Sequence, residues 1–261
     1  MNFKTMLLTT AAATLIAGAA SAKDFTGSLF LPAKGEVLSN TSVFYERTNF
    51  KDVDYAWEDL FAKEHLTYGV TDNFSVYGAI ANAFDFEGLT NRAYNNEINL
   101  DYEVGVKYNW SNGRLLTQVG LGYYTYDESS WYGHKDAWND DWYKALKFEA
   151  QVGYAMDNGL TPYAMFTADG DIDESDRDIY YTVFAGFHKT FDKAALDAGI
   201  RYEFETDDGS NTNEWYVQAE ANYFVKDNVA VGVFGDYYLD GTSDKYIDYD
   251  YTAGVNLKVL F

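Results

Sequence analysis

The last thirteen residues of the chain, from Tyr249 to Phe261, alternate without a break. One set is Tyr249, Tyr251, Ala253, Val255, Leu257, Val259 and Phe261; the other is Asp250, Thr252, Gly254, Asn256, Lys258 and Leu260. Period-two alternation is the mark of a strand with one apolar and one mostly polar face. A strand in a soluble sheet is typically about half as long, whereas a tilted strand needs roughly 9–11 residues to cross a bilayer. The apolar set carries aromatics at both ends and aliphatics between them. That order is expected where rings sit at two membrane–water interfaces.

The same unit recurs upstream. Residues 98–110, 146–156, 196–205 and 215–225 each separate an uncharged apolar face from a polar one. Short turns (Thr71-Asp72-Asn73, Ser111-Asn112-Gly113, Asp157-Asn158-Gly159, Phe191-Asp192-Lys193 and Lys226-Asp227-Asn228) alternate with longer polar connections. Asn-Gly and Asp-Asn suit tight turns because they tolerate positive φ. The pattern predicts strands at 37–49, 56–70, 74–84, 97–110, 114–126, 142–156, 161–168, 178–190, 195–206, 214–225, 229–239 and 248–261. These make a twelve-stranded antiparallel up-and-down transmembrane β-barrel over 37–261, with ten strands if the first pair is irregular. Two segments are ambiguous. Glu64 shares the parity of Leu60, Leu66 and Tyr68, which suggests a bulge. In 74–84 both faces are fairly apolar.

This terminal strand and its final Phe261 resemble those of Gram-negative outer-membrane β-barrel proteins, porin-like ones included. In them the C-terminal aromatic is read by the outer-membrane assembly machinery. The resemblance implies an outer-membrane location, contact with lipid and lipopolysaccharide, and short turns on the periplasmic side. Closure would pair the last strand with the segment at 37–49.

The N-terminus fits export. Lys4 is followed by an apolar run to Ala19 and an Ala20-Ser21-Ala22 cleavage motif, so residues 1–22 read as a signal peptide. Residues 23–36 have no clear period and read as a periplasmic N-terminal segment. The chain has no cysteine, hence no disulfide to supplement a small core. Its net charge of −22 argues against a nucleic-acid partner, since neutralising phosphate takes Lys and Arg. The same charge favours cations over anions near its surfaces.

The polar strand face is the functional candidate. It carries Lys63, Asp101, Glu103, Lys107, Lys147, Glu149, Arg201, Glu203, Glu220, Asp236 and Lys258, expected to line a pore. Glycines in the confident strands, Gly235 excepted, fall on this face, leaving room for a neighbouring ring such as Tyr124 or Phe234. His188 and Asp197 lie symmetrically about a turn and should be cross-strand neighbours. They could orient a base, but no serine stands near them on an inward position, so an interior ion pair is the better reading. His65 is expected inside, near Asp59, and His134 in an exposed loop. Residues 169–176 have calcium-loop spacing at their start but lack the sixth-position glycine and the twelfth-position Glu. No catalytic, metal or cofactor site is assigned and no enzymatic activity is expected. The expected function is a porin-like channel for passive diffusion of small polar solutes or ions, mildly cation-favouring. The alternative is a closed barrel with a structural or adhesin-like surface role, offering Trp131, Tyr132, Trp138 and Trp142 to a partner. Oligomeric state is open.

Overall fold

Long alternating strands joined by tight turns leave one arrangement that satisfies every backbone group in lipid, a sheet closed on itself. The computed structural model has that form. It describes residues 24–51, 56–85, 100–127, 142–172, 179–206, 213–242 and 247–261. The strands are β1 (Val37–Phe50), β2 (Ala56–Gly69), β3 (Phe74–Asp85), β4 (Leu100–Asn112), β5 (Leu115–Asp127), β6 (Trp142–Tyr154), β7 (Leu160–Asp171), β8 (Ile179–Thr190), β9 (Ala194–Thr206), β10 (Asn213–Lys226), β11 (Val229–Gly241) and β12 (Ile247–Leu260). Each pairs with its sequence neighbours, and β1 pairs with β12 to close the barrel. The seam ends in a reciprocal pair. Val37 N–H donates to the Phe261 carbonyl at 3.1 Å, and Phe261 N–H to the Val37 carbonyl at 2.8 Å.

Two faces result, inverted relative to a water-soluble sandwich. Val104, Leu121, Val233 and Val255 point outward and are 57%, 61%, 59% and 55% exposed. Outward rings gather near the strand ends, among them Tyr68, Tyr108, Trp110, Tyr154 and Tyr223 at the short-turn end. Gln118, Asn222, Asn256 and Lys258 point inward and are nearly covered, at 1%, 3%, 7% and 7%. A solvent that rewards exposed valine and leucine is hydrocarbon, so the outer surface is that of a membrane protein.

The turns follow their sequence. Gly113 and Gly159 take φ of 63° and 76°, the left-handed conformation that glycine adopts freely. Two ambiguous segments resolve. No bulge separates β1 from β2; pairing is continuous from Val37↔Tyr68 to Asn49↔Ala56. Glu64 therefore stays on the outer face, where the hydroxyls of Ser39 (2.7 Å) and Thr41 both donate to its carboxylate. In β3 the inward set is Ser75, Tyr77 and Ala79, and the outward set includes Val76 and Ile80. The long connection expected at 169–177 also starts later, since β7 runs to Asp171. Asp169 accepts a hydrogen bond from Tyr124 at 3.0 Å, so the calcium-loop spacing begins inside a strand. Residues 1–22, His134, the aromatic loop Trp131, Tyr132 and Trp138, and residues 173–176 lie outside the described residues. The Trp142 backbone opens β6.

Inward glycines seat rings, although the rings are mostly others than those anticipated. Tyr77 lies across Gly105, Phe184 across Gly186, and Phe44 with Phe234 across Gly254. A Cβ on Gly105 would stand 2.5 Å from the Tyr77 ring and 2.5 Å from the Leu121 carbonyl. On Gly120 the nearest atoms would be at 3.5 Å, an ordinary contact. Gly105→Ala should therefore destabilise the folded barrel by about 1–3 kcal/mol, an overpacking cost, while Gly120→Ala is tolerated. Urea midpoints of the two variants refolded into lipid vesicles decide this; equal midpoints would show that the ring seats carry no strain.

Candidate functional site

Which side chains face inward is settled by contacts that skip a strand. On a closed barrel such contacts form on the concave face, where side chains converge. Lys107 on β4 reaches Glu149 on β6 at 2.9 Å, passing over Gly120, which is register partner to both. Lys147 on β6 lies 3.8 Å from Glu103 on β4. Arg201 on β9 contacts Asp236 on β11 at 3.5 Å, and Lys258 on β12 contacts Glu220 on β10 at 2.5 Å. Eight of the eleven expected positions are thereby placed inside, and Glu203 shares the face of Arg201, two residues away on β9. Lys63 and Asp101 share the inward parity of Phe61 and Glu103, and their fields meet inside.

The interior has two differently charged walls. From β2 to β6 both signs are interleaved. Tyr77 donates to Glu103 at 3.1 Å, and Gln151 donates to Glu149 at 2.7 Å. On β9–β12, β1 and the first part of β2, toward the long-connection end, carboxylates dominate. Glu46, Asp59, Glu203, Glu214, Asp236 and Asp250 gather around Arg201. Arg201 Nε lies 3.0 Å from Glu203, and its guanidinium stands 4.3 Å from the centre of the Tyr216 ring. Glu46, Asp59 and Glu214 were missed as site residues, whereas Asp250, on the polar face of the last strand, faces the lumen as expected. Their inward parity in the closed register, together with Asp236, was the signal that finds them. His65 faces inward as expected, but its ring packs on Tyr77 at 5.3 Å rather than beside Asp59.

At the short-turn end the interior is filled by the chain itself. Residues 24–32 run through the mouth. Phe25, 1% exposed, packs against Phe224, Ala230 and Leu260 of β10–β12. The Leu29 carbonyl accepts a hydrogen bond from Asn109 of β4 at 3.0 Å, and the Leu29 side chain abuts Gly153 of β6. In a twelve-membered ring β4–β6 stand opposite β10–β12, so the segment bridges the lumen from wall to wall. Lys258 donates to the Thr26 carbonyl at 3.2 Å. Asp24 reaches His188 Nε2 at 2.5 Å and accepts from the Thr190 hydroxyl. His188 and Asp197 are register partners as expected, with Nδ1 3.3 Å from Asp197 Oδ2. No sequence period pointed to Asp24 as the third member, because the segment has none.

Burial alone would raise the Asp24 carboxyl. The hydrogen bond and positive field of His188, helped by Thr190 and Thr26, outweigh burial and hold it well below its ordinary 3.8. Among the described residues no group of three or more His, Asp or Glu is arranged to hold a metal ion.

No protein-family model and no curated protein matches this sequence. Solved structures do match its shape. The COG4313 outer membrane channel from Pseudomonas putida F1 superposes with a TM-score of 0.64 at 13% identity, covering 93% of this chain and 100% of that one. The NanC porin gives 0.60 at 8% identity, over 85% and 98%. The translocator domain of the autotransporter NalP from Neisseria meningitidis gives 0.52 at 10%, over 98% and 94%. At these identities the likeness is one of fold, and the fold is that of outer-membrane β-barrels.

Because Asp24 titrates below its ordinary value in the folded state, its contribution to docking is complete above about pH 4 and is lost as pH falls below it. Hydrogen exchange of residues 25–31, corrected for intrinsic rates, should therefore stay slow from about pH 6 to about pH 4 and accelerate as pH falls further, while strand peptides stay protected. Asp24→Asn should exchange fast throughout. A profile unchanged by that substitution would remove Asp24 from the docking contact.

Proposed function

We propose that this chain is an outer-membrane channel for passive diffusion of small polar solutes or ions, favouring cations, with its short-turn mouth closed by residues 24–32 in the conformation described. The observation that carries the reading is the direction of the interior ion pairs. Lys107–Glu149, Lys147–Glu103, Arg201–Asp236 and Lys258–Glu220 each run along the wall over one intervening strand, and none of these pairs crosses the axis of the lumen. A barrel built to be solid would spend the same charges across its axis. Neighbours of like fold named as a channel and a porin support the reading. Twelve strands lie between the roughly eight at which side chains fill the interior and the 16–18 that leave an open aqueous channel.

Cation preference follows from the carboxylate-rich wall. Glu46, Asp236 and Asp250 face one another there, with Arg201 as their nearest cation. On this reading the chain reaches the outer membrane by a cleaved signal peptide and the assembly machinery engages Phe261. Lipid and lipopolysaccharide then contact its outer face. The alternative of a closed barrel with a surface role draws on the filled mouth. The two diverge in one experiment.

Protein refolded into planar bilayers should show unitary steps, rare for the full chain and frequent once residues 24–31 are deleted. In a potassium chloride gradient the reversal potential should be cation-signed. The double variant Asp236→Asn, Asp250→Asn should lower the cation-to-anion permeability ratio by about twofold. Absence of steps from the deletion protein would sink the channel and leave the closed barrel.

A further inference from the structure

The contacts that hold the N-terminal segment have a shape of their own. Asp24 presents one carboxylate oxygen, Oδ1, to its own Thr26, which donates from its amide at 3.2 Å and from its hydroxyl at 2.7 Å. The other oxygen, Oδ2, faces the wall and meets His188 Nε2 and the Thr190 hydroxyl together. Those two donors are two residues apart on one inward face of β8, which fixes their spacing. His188 is fixed from behind as well. Its Nδ1 faces Asp197 across the β8–β9 ladder, and Asp197 accepts the Tyr163 hydroxyl at 2.6 Å. Tyr163 in turn packs on Phe184, which is fully buried. The imidazole is thus oriented by β7, β8 and β9, none of which depends on Asp24 for its place. An imidazole with one nitrogen 3.3 Å from a carboxylate and the other aimed into a lumen, beside a hydroxyl, is a preorganised receptor for an oxygen anion.

Apart from the apolar seat of Phe25 and the Ser28 side-chain hydrogen bond to Tyr163, the remainder of the segment is held through its backbone. Thr26 and Leu29 are recognised through their backbone carbonyls, by Lys258 and Asn109. Gly27 lies flat on the His188 ring, where a Cβ would stand 3.4 Å away. The specific polar recognition is concentrated on the Asp24 carboxylate.

We propose that His188 and Thr190 form a binding site for the carboxylate of a small solute, and that Asp24 occupies this site as an internal competitor. The site lies at the exit of the lumen on the channel reading, on which this proposal rests for the solute's route. A carboxylate arriving there exchanges with Asp24 one for one, with no change in the donors used. The charged and polar groups facing it are Asp197 from β9, Thr190 on its own strand, Tyr163 from β7, and Glu220, the register partner of Asp197 on β10, with its paired Lys258. The acidic wall around Arg201 lies toward the other end and is not part of the site.

The test uses sodium acetate as the probe, with acetamide as the uncharged control. Titration calorimetry and the His188 side-chain NMR signals are recorded on the refolded full chain, on Asp24→Ala, and on Asp24→Ala combined with His188→Ala. Asp24→Ala should bind acetate saturably and acetamide not at all. The full chain should bind acetate roughly tenfold or more weakly, because its own carboxylate competes. The double variant should lose at least about tenfold, the loss of one charge-assisted hydrogen bond. Equal acetate binding by the Asp24→Ala and double variants, or equal binding of acetate and acetamide, would overturn the site. A protein lacking residues 24–31 supplies a second arm, with conductance recorded in parallel. If it conducts but does not bind acetate, the site fails and the channel stands. If it binds acetate but does not conduct, the site stands and the channel fails. Should the deletion fail to fold, the point variants alone decide.

Discussion

Everything in this molecule depends on the pairing of its first strand with its last. In hydrocarbon an unpaired backbone N–H or carbonyl costs several kcal/mol, so an open sheet edge at membrane depth is not viable. The β1–β12 ladder runs from Leu38↔Leu260 to Asn49↔Tyr249 before a local shift at Phe50. The Val37–Phe261 pair extends it to the final residue. Once that ladder closes, no edge remains along the wall. Phe261 thereby has a structural role besides any targeting role: its backbone completes the seam.

Closure also creates the interior. Side chains that would stand apart on an open sheet converge on a concave face. Lysines and glutamates then reach over an intervening strand to pair, as Lys107 and Glu149 do above Gly120. The absence of a side chain at Gly105, Gly186 and Gly254 lets tyrosine and phenylalanine rings lie against the wall instead of projecting into the lumen. Packing and polarity thus act together: rings fill the space close to the wall, and charges remain around the axis.

Glu64 is an acid that the closed register leaves outside. An acid on the lipid-facing side is costly, and two hydroxyls from the neighbouring strand meet it there. Its parity looked like a register fault in the sequence. The physical answer was local satisfaction, not a bulge, because a one-residue slip would have turned every neighbour to the wrong face.

Strand positions, turn positions and the number of strands were legible in the sequence, because period two and tight-turn chemistry are local properties. Residues 98–110 separate their faces by themselves, whatever surrounds them. The direction of β3 was not legible, since alanine and glycine on both faces give no contrast until Tyr77 has a glycine bed on β4. Which carboxylates gather around Arg201 was not legible either. Glu46, Asp236 and Asp250 lie on three strands far apart in sequence, and only the closed ring sets them side by side. The mouth is the clearest case. The sequence alone placed His188 beside Asp197, because a hairpin turn fixes that spacing. It said nothing of Asp24, more than 160 residues away, since an aperiodic segment has no preferred partner of its own. Tertiary structure chose it: a ring of walls concentrates unmet donors at one end, and the nearest free carboxylate on a tethered strand of chain falls into them.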